Sequence, residues 1–396
     1  MNHRRHGSRL PLLVTLVLTF TATSCAGNLG PAAVSRKHGR SGNPFADVNF
    51  FLDPSYRAKV EATATHHPDE ADLIRKVGGY PTAVWLDNLK SVAKLPGWLD
   101  EAKRQQDGSG VPTLTVVVVY NLPERDCSSE SSAGELRADE NGEARYRAEF
   151  IDPIAAQLAA HAAQPIAIIL EPDSLANLAT NLSIPKCQKA RSVYKSGIVY
   201  ALKRFALPNV SVYLDAAHAG WLGWDDSRAK IGKIFRQVTS EAGGTQMIRG
   251  FAINVSNYTH LTNRDGAVLE STNPCPNELT YAQTLRRTLE LYGFTDHGFV
   301  IDTSRNGKGG IRTKWGDWCN VKGAGLGERP RAEPEPGIDA YWWVKPPGES
   351  DGSSDPKGPR FDEMCAAPSA AKDAPQAGQW FEAYFMDLVH NADPAL

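Results

Sequence analysis

The sequence predicts an α/β fold built on a parallel β/α barrel that is closed or nearly closed. The first observation is a set of short apolar runs rich in β-branched residues, each of a length suited to a buried strand. These runs are residues 116–120, 166–170, 210–214, 248–253, 298–301 and 340–344. The second observation is that longer stretches lie between the runs. Alternation of this kind is typical of right-handed crossovers and a parallel sheet, here of six or seven strands.

The stretches between the runs predict helices. They cover residues 146–161, 187–205, 227–239, 280–292 and 378–390. The chain from residue 43 to residue 396 contains no second linker, and its length suits one large barrel with long functional loops. We therefore expect a single folded domain over residues 43–396.

The N-terminal residues 1–26 resemble an export signal. Three arginines precede an apolar run, residues 10–20, that is too short to span a bilayer as a helix. The small residues around Cys25 suit ordinary signal cleavage, and they also suit a bacterial lipoprotein site at which Cys25 would be acylated. Residues 27–42 are rich in Gly, Ser and Arg and predict a disordered leader. We expect a secreted, extracellular protein with no transmembrane helix in the mature chain, or one anchored by lipid at Cys25.

Charge and cysteine content exclude some functional classes. The 43 Lys and Arg residues and 45 Asp and Glu residues give a net charge of −2, and the basic residues are scattered, which does not suggest nucleic acid. The six cysteines form no CxxC pair and have no histidine cluster beside them, so no metal site is expected. Export favours disulfides. Without Cys25, five cysteines remain, so one thiol stays free, and the sequence alone does not fix the pairing.

Two aspartates follow predicted strands within specific strings. Asp126 lies in the string YNLPERDC, and Asp173 lies in the string LEPDSLAN. In a parallel barrel, catalytic side chains collect at the C-terminal ends of the strands. Two carboxyl groups there, without metal ligands, suggest glycoside hydrolysis, in which one acid protonates the leaving oxygen.

Tryptophans are frequent in the loops that follow the strands. Trp221 and Trp224 follow the third run, and Trp315 and Trp318 follow the fifth. Aromatic faces pack against sugar C–H groups while carboxylates and amides bind the hydroxyls, so this end of the barrel suits a sugar cleft. Trp342 and Trp343 are adjacent on a strand and must face opposite ways, so one of them is expected to belong to the core.

Several strings together resemble glycoside hydrolase family 6, the cellobiohydrolases and endoglucanases that cut β-1,4-glucan. They are residues 120–127, 171–181, 213–224, 315–320 and 343–355, and the resemblance extends from about residue 43 to the C-terminus. It implies a distorted, incomplete β/α barrel of about seven strands, with long loops roofing the active site. It also implies an inverting mechanism without a cofactor, and cellulose or cello-oligosaccharides as the partner of a monomeric enzyme.

The resemblance implies a role for each matching residue. Asp173 matches the general acid, Asp126 the aspartate that tunes it, and Asp351 a disputed candidate for the base. Tyr120 matches a tyrosine that distorts the reacting sugar, and Ser132 a serine that contacts the attacking water. Positions matching or suggesting substrate contacts are Trp85, Asp87, Asp215, His218, Trp221, Trp224, Asn257, Trp315, Trp318, Lys345 and Glu349. The family's disulfides map onto Cys127–Cys187 and Cys319–Cys365, which leaves Cys275 free.

Two long loops, residues 125–143 and 345–379, resemble the cellobiohydrolase form, in which they roof a tunnel. This implies release of cellobiose from non-reducing chain ends. An endoglucanase of the same family and a non-catalytic glucan-binding surface protein are the alternatives. Retention of both Asp126 and Asp173 favours the enzyme, because binding a neutral sugar requires neither carboxylate.

Structural interpretations of four site residues stay open at this point. Asp173 precedes a helical stretch and could be an N-cap. Asp215 could form a structural ion pair. The glycines beside Asp351 suggest a turn. His218 has no second histidine at ligand spacing, which favours a hydrogen-bonded histidine in the core or at the rim.

Overall fold

The computed structural model describes residues 42–262, 272–312, 314 and 316–396. Nine strands lie in this part of the chain. They are β1 (Asn49–Phe50), β2 (Val84–Leu86), β3 (Thr113–Val119), β4 (Ile166–Leu170), β5 (Val210–Asp215), β6 (Gly250–Ile253), β7 (Gly298–Asp302), β8 (Arg331–Glu335) and β9 (Ile338–Trp342). All six strands that the sequence predicts are present.

Seven of the strands form a curled parallel sheet in the order β2-β3-β4-β5-β6-β7-β9. The short β1 pairs with the beginning of β3, and β8 adds an antiparallel edge to β9. Within the described residues, an isolated parallel bridge between Thr82 and Trp343 links the two ends of the sheet. The fold is therefore an incomplete parallel β/α barrel of seven strands, as expected.

Helices cover the outside of the sheet. Within the described residues they are α1 (Pro54–His66), α2 (Ala71–Val77), α3 (Leu95–Ser109), α4 (Gly142–Arg145), α5 (Asp152–Ala160), α6 (Ser174–Thr180), α7 (Pro185–Arg204), α8 (Ala219–Leu222), α9 (Asp225–Ala242), α10 (Glu278–Glu290) and α11 (Glu382–His390). The predicted helix at 146–161 is divided, because residues Tyr146–Ile151 form a π-helical turn before α5.

Alternate strand residues face the barrel interior and the helices. Val116 and Val118 of β3 belong to the interior cluster, whereas Val117 and Val119 pack in the cluster shared with the helices. Trp342 lies in the interior cluster and Trp343 packs on the other side, toward α1 and α11. The adjacent tryptophans face opposite ways as expected, and both are buried core residues.

Two disulfides join loops to the barrel. Cys127 is bonded to Cys187 at the start of α7, and Cys319 is bonded to Cys365. Cys275 is a buried free thiol. The pairing that the resemblance implied is therefore confirmed.

The N-terminal predictions concern residues that the structure does not describe. The predicted signal at 1–26, with Cys25, and nearly all of the leader at 27–42 lie outside the described residues. Among the helices of the described part, none combines the length and the apolar character needed to cross a bilayer.

Candidate active site

The C-terminal ends of the strands surround a cavity of about 560 Å³. Residues from several strand-end loops line it, as the barrel topology requires. Eleven residues that the sequence predicted for the site lie in its wall: Trp85, Tyr120, Asp126, Ser132, Asp173, His218, Trp221, Asn257, Trp318, Lys345 and Asp351. The predicted site residues are therefore largely brought together at one cavity.

The backbone at this edge contains a group of non-glycine residues with positive φ. They are Glu124, Asp126, Glu171, Asp173, Ala217, Asn254 and Ser256. This left-handed conformation costs free energy for residues with a Cβ atom and persists where surrounding contacts hold it, most often at functional sites. At each of these strand ends the chain turns sharply, which aims the following side chains at the cavity.

Asp173 has a φ of 65° and is partly exposed to the cavity. Its side chain accepts no capping hydrogen bond from α6, so the interpretation as a simple N-cap is not supported. Burial raises the pKa of the Asp173 carboxyl well above its usual range, and the charges of Asp215 and then Asp126 raise it further. A hydrogen bond with Tyr120 opposes part of that rise. The surroundings of Asp173 therefore favour the protonated form of its carboxyl.

Asp215 does not line the cavity, but it supports the turn that carries Asp173. Its Oδ2 accepts the main-chain amides of Asp173 at 3.0 Å and Ala217 at 3.1 Å. Burial raises the pKa of Asp215 to about 7. Within the described residues no basic side chain forms an ion pair with it, so Asp215 anchors the backbone beside Asp173.

Glu171 is a buried carboxyl group that the sequence did not single out. It accepts the main-chain amides of Asn121 and Leu122 at 3.1 Å and the hydroxyl of Tyr146 at 2.9 Å. Burial raises its pKa to about 7. Glu171 thus joins the turn after β4 to the turn after β3, where Asp126 lies.

Asp126 is hydrogen-bonded within its own loop. The Ser132 hydroxyl donates to Asp126 Oδ2 at 2.6 Å, and Lys186 Nζ donates to the Asp126 main-chain carbonyl at 3.3 Å. Burial raises the pKa of Asp126, while the hydrogen bond from Ser132 is the largest opposing effect. The pair therefore presents a carboxyl group and a hydroxyl together on the cavity wall.

Asp351 lies in a buried ionic network. Both of its carboxylate oxygens lie 2.8 Å from Arg305 Nη1, and Oδ2 also accepts the Tyr258 hydroxyl at 2.6 Å and the Asn320 amide at 2.9 Å. The Arg305 side chain is fully buried. A buried carboxylate with this many donors is a strongly held anion.

Lys345 lies on the cavity wall beside this network. Its Nζ donates to the Ser350 carbonyl at 3.1 Å and lies 5.7 Å from the centre of the Trp85 ring. Burial lowers the pKa of Lys345. Glu349 lies off the cavity wall, and its carboxylate accepts Lys59 Nζ of α1 at 2.8 Å.

Three tryptophans line the cavity: Trp85, Trp221 and Trp318. Trp85 donates to the Val344 carbonyl at 2.9 Å, and Trp221 donates to the Thr180 hydroxyl at 2.7 Å, so both rings are held at their nitrogen atoms. Burial lowers the pKa of His218 to about 3, which keeps the imidazole neutral. Its Nδ1 atom is buried and has no hydrogen-bond partner among the described residues.

Comparison with known families decides the classification. The sequence model of the family described as glycosyl hydrolases family 6 matches residues 45–392. The chain belongs to glycosyl hydrolase family 6.

Family 6 proteins resemble this chain over most of its length. Exoglucanase 3 of Agaricus bisporus is 40% identical over 359 residues, which cover 90% of this chain and 80% of that protein. The 1,4-beta-D-glucan cellobiohydrolase CEL6C of Podospora anserina is 38% identical over 362 residues, which cover 89% and 88%.

Solved structures of family 6 share the fold. The catalytic core domain of the cellobiohydrolase Cel6A from Chaetomium thermophilum has a TM-score of 0.85 at 40% identity and covers 89% of this chain and 99% of its own. CcCel6C from Coprinopsis cinerea, a family 6 enzyme, has a TM-score of 0.85 at 39% identity and covers 90% and 99%.

Four predicted site residues of this family 6 chain lie away from the cavity wall: Asp87, Asp215, Trp224 and Glu349. Trp315 lies outside the described residues. Asp87 accepts the Asn88 side-chain amide at 2.7 Å through Oδ1, and the Trp224 ring nitrogen donates to the Thr272 hydroxyl at 3.2 Å. Each has a local partner instead of facing the cavity.

Other cavity or supporting residues were missed from the sequence. Thr180 and Asn181 line the cavity, and Arg305 and Tyr258 hold Asp351. Thr180 and Asn181 were inside a string that matched the family, and Arg305 follows β7 in a loop already noted for polar residues. Their positions in these strings were the only sequence indication that they belong to the site. Position in a string does not tell which side chains point into the cavity.

Proposed function

We propose that this chain hydrolyses β-1,4-glucosidic bonds of cellulose with inversion and releases mainly cellobiose from non-reducing ends. The observation that carries the proposal is the Asp173 carboxyl, exposed to the cavity with its pKa raised by burial and by Asp215. A carboxyl whose pKa is raised is the kind of group that donates a proton to the leaving oxygen. Membership of family 6 supports the substrate class.

The leaving-group step is assigned to Asp173. The bond from the anomeric carbon to the glycosidic oxygen breaks while the Asp173 proton moves to that oxygen, and the carboxyl becomes a carboxylate. Tyr120, whose ring centre lies 5.8 Å from the Trp85 ring centre, is assigned to crowding the reacting sugar. Burial holds the pKa of Tyr120 well above its usual range, so the phenol stays neutral.

The water step is assigned to Ser132 and Asp126. In an inverting reaction, water attacks the face opposite the leaving oxygen and gives up a proton. The Ser132 hydroxyl, 2.6 Å from Asp126, would order that water and connect it to a carboxylate acceptor. Asp351 is the less suitable acceptor, because Arg305, Tyr258 and Asn320 already occupy its oxygens. We therefore assign Asp351 to electrostatic organisation of the site.

Substrate binding is assigned to the tryptophans and to neutral polar groups. Trp85, Trp221 and Trp318 offer flat faces to glucose rings, while His218 and Asn257 offer hydrogen bonds to hydroxyls. The related CcCel6A catalytic domain was solved with p-nitrophenyl beta-D-cellotrioside, which is an oligosaccharide of the proposed class.

Chain-end attack is supported by the two long loops. Ser128, Ser129 and Ser132 of the loop 125–143 and Ala377 of the loop 345–379 contribute to the cavity wall. A site covered from two sides admits a polymer through its end more readily than through its middle. The curated relatives that match include proteins named exoglucanase and cellobiohydrolase.

An extracellular location is supported by the two disulfides, which persist in oxidising compartments. The alternative to free secretion is a protein anchored at the cell surface by acylation of Cys25. Intact-mass measurement of the mature protein tests it, since a lipidated chain would begin at a modified Cys25, whereas ordinary cleavage would leave an unmodified N-terminus.

Hydrolysis of cellotetraose tests the proposal directly. We expect cellobiose as the main product, formed first as the α-anomer when the reaction is followed by proton NMR. Absence of hydrolysis, with cellotetraose bound, would instead favour a non-catalytic glucan-binding protein. An initial β-anomer would overturn the inverting mechanism. Rapid loss of viscosity of carboxymethyl cellulose, relative to new reducing ends, would indicate an endoglucanase.

A further inference from the structure

A carboxylate joins the two loops that cover the cavity. Asp362 belongs to the loop 345–379, and its Oδ2 accepts the Ser129 hydroxyl at 2.9 Å and the Glu130 main-chain amide at 3.0 Å. Both donors belong to the loop 125–143. Its other oxygen, Oδ1, accepts the Met364 amide at 3.0 Å in its own loop. The Asp362 side chain is therefore hydrogen-bonded both to its own loop and to the loop 125–143.

Disulfides lie close to both ends of this contact. Ser129 is two residues after Cys127, which is bonded to Cys187 of α7. Asp362 is three residues before Cys365, which is bonded to Cys319. The hydrogen bonds thus join two segments that disulfides already restrain. Neither segment can therefore move far from the other without breaking the hydrogen bonds.

Close packing supports the same contact. A Cβ atom placed on Gly352 of the second loop would lie 2.6 Å from Ser131 Cβ of the first loop and 2.7 Å from Cys365 Sγ. Ser131 is buried. The loops therefore meet face to face beside the hydrogen bonds, and separating them would expose this packed surface.

From these contacts we infer that Asp362 is a specificity-determining residue, which holds together the two loops that line the cavity and so disfavours internal attack on a cellulose chain. The inference rests on the proposed function. Asp362 does not line the cavity, so it acts through the loops and not on the sugar. Opening the contact would let a chain enter sideways, while a short oligosaccharide would still enter by its end.

The test uses three variants of the full chain. Asp362→Ala removes the acceptor for both donors. Ser129→Ala removes one donor and leaves the Met364 bond of Asp362 intact, which separates the loop–loop contact from the local turn. Asp355→Ala is the matched control, because Asp355 lies in the same loop, is exposed, and accepts a local amide, Lys357, at 2.9 Å.

The first readout is the ratio of viscosity loss to new reducing ends on carboxymethyl cellulose. We expect this ratio to rise severalfold for Asp362→Ala, less for Ser129→Ala, and not for Asp355→Ala, with cellotetraose hydrolysis retained in Asp362→Ala and Asp355→Ala. An unchanged ratio in both contact variants would overturn the inference. Absence of cellotetraose hydrolysis by the wild-type protein would instead count against the proposed function.

The second readout does not depend on activity. Hydrogen exchange of peptides covering residues 128–134 reports the Glu130 amide, which Asp362 protects. Since hydrogen bonds to charged groups shift a local opening equilibrium strongly, exchange there should be about tenfold faster in Asp362→Ala. Exchange at the wild-type rate in that variant would overturn the inference, whether or not the protein hydrolyses cellulose.

Discussion

The main-chain amide of Asp173 donates a 3.0 Å hydrogen bond to the carboxylate of Asp215. The donor residue has a φ of 65°, so the bond helps to hold an unfavourable backbone conformation. The same carboxylate places a second negative charge beside the Asp173 side chain and raises its pKa. One contact between neighbouring strand ends therefore positions the proposed acid and adds to the rise in its pKa.

Asp215→Asn tests the electrostatic half of this relationship. Removing the charge should lower the pKa of Asp173, so the acid loses its proton at a lower pH. The basic limb of the kcat/KM profile should then move to lower pH, by about one unit or less. Asp226→Asn, an exposed change on α9, should leave the profile unchanged. An unshifted basic limb in Asp215→Asn would show that this charge does not tune the acid.

Asp173→Asn tests the acid role itself. A sugar leaving group needs protonation whereas fluoride hardly does, so the loss should depend on the substrate. We expect hydrolysis of cellulose to fall by about two to four orders of magnitude, the range for losing general acid catalysis. A β-cellobiosyl fluoride should lose far less and still give the α-product. Equal losses on both substrates, with folding and binding intact, would move the acid role to another residue.

Arg305→Ala should destabilise the protein because it removes the nearer of two cations, at 2.8 Å, from the buried Asp351 carboxylate and leaves only Lys345 at 3.9 Å. We expect the free energy of unfolding in urea to fall by about 3–5 kcal/mol, the range for breaking a buried ion pair. Arg204→Ala removes a partly exposed pair with Asp152 and should cost about 0–1 kcal/mol. Similar losses in the two variants would contradict the network described for Asp351.

Glu278 predicts a dependence of stability on pH. It is fully buried at the start of α10, accepts the Ala219 amide at 2.8 Å, and has its pKa raised by burial to about 8. A carboxyl whose folded pKa lies above its unfolded value stabilises the fold at low pH, and that contribution is lost as pH rises toward the folded value. The free energy of unfolding should therefore fall between about pH 5 and pH 8.

Glu278→Gln keeps an acceptor for Ala219 and removes the titration. Its decline in stability over that range should be smaller than that of the wild type by at least about 1 kcal/mol. Glu290→Gln, an exposed change on the same helix, should follow the wild type. Chemical denaturation at about pH 5 and about pH 8 measures the free energy of unfolding of all three proteins. Parallel declines in the wild type and Glu278→Gln would show that Glu278 does not titrate with folding.

The sequence predicted the parts of the fold that depend on local pattern. Strands such as β3 and β4 are buried throughout and apolar apart from Thr113 and Thr115, because both faces of a parallel strand are covered. The three-residue β2 and the polar edge strand β8 carry no such signal and were missed. Helix α1 was missed as well, since only four of its thirteen residues are buried. Closure of the barrel at Thr82 and Trp343 joins residues far apart in sequence and could not be predicted.

The candidate site divides in the same way. By itself the sequence determined that Asp126 and Asp173 lie just past the C-terminal ends of buried strands, and the alternation of strands and helices makes those strands parallel, so that both residues lie on one rim. Only the tertiary structure decided where side chains point. Asp351 meets Arg305 from a different loop, Glu349 meets Lys59 of α1, and Asp362 meets Ser129 of the loop 125–143. These partners lie 46, 290 and 233 residues apart in sequence, so the local sequence around each residue does not contain its partner.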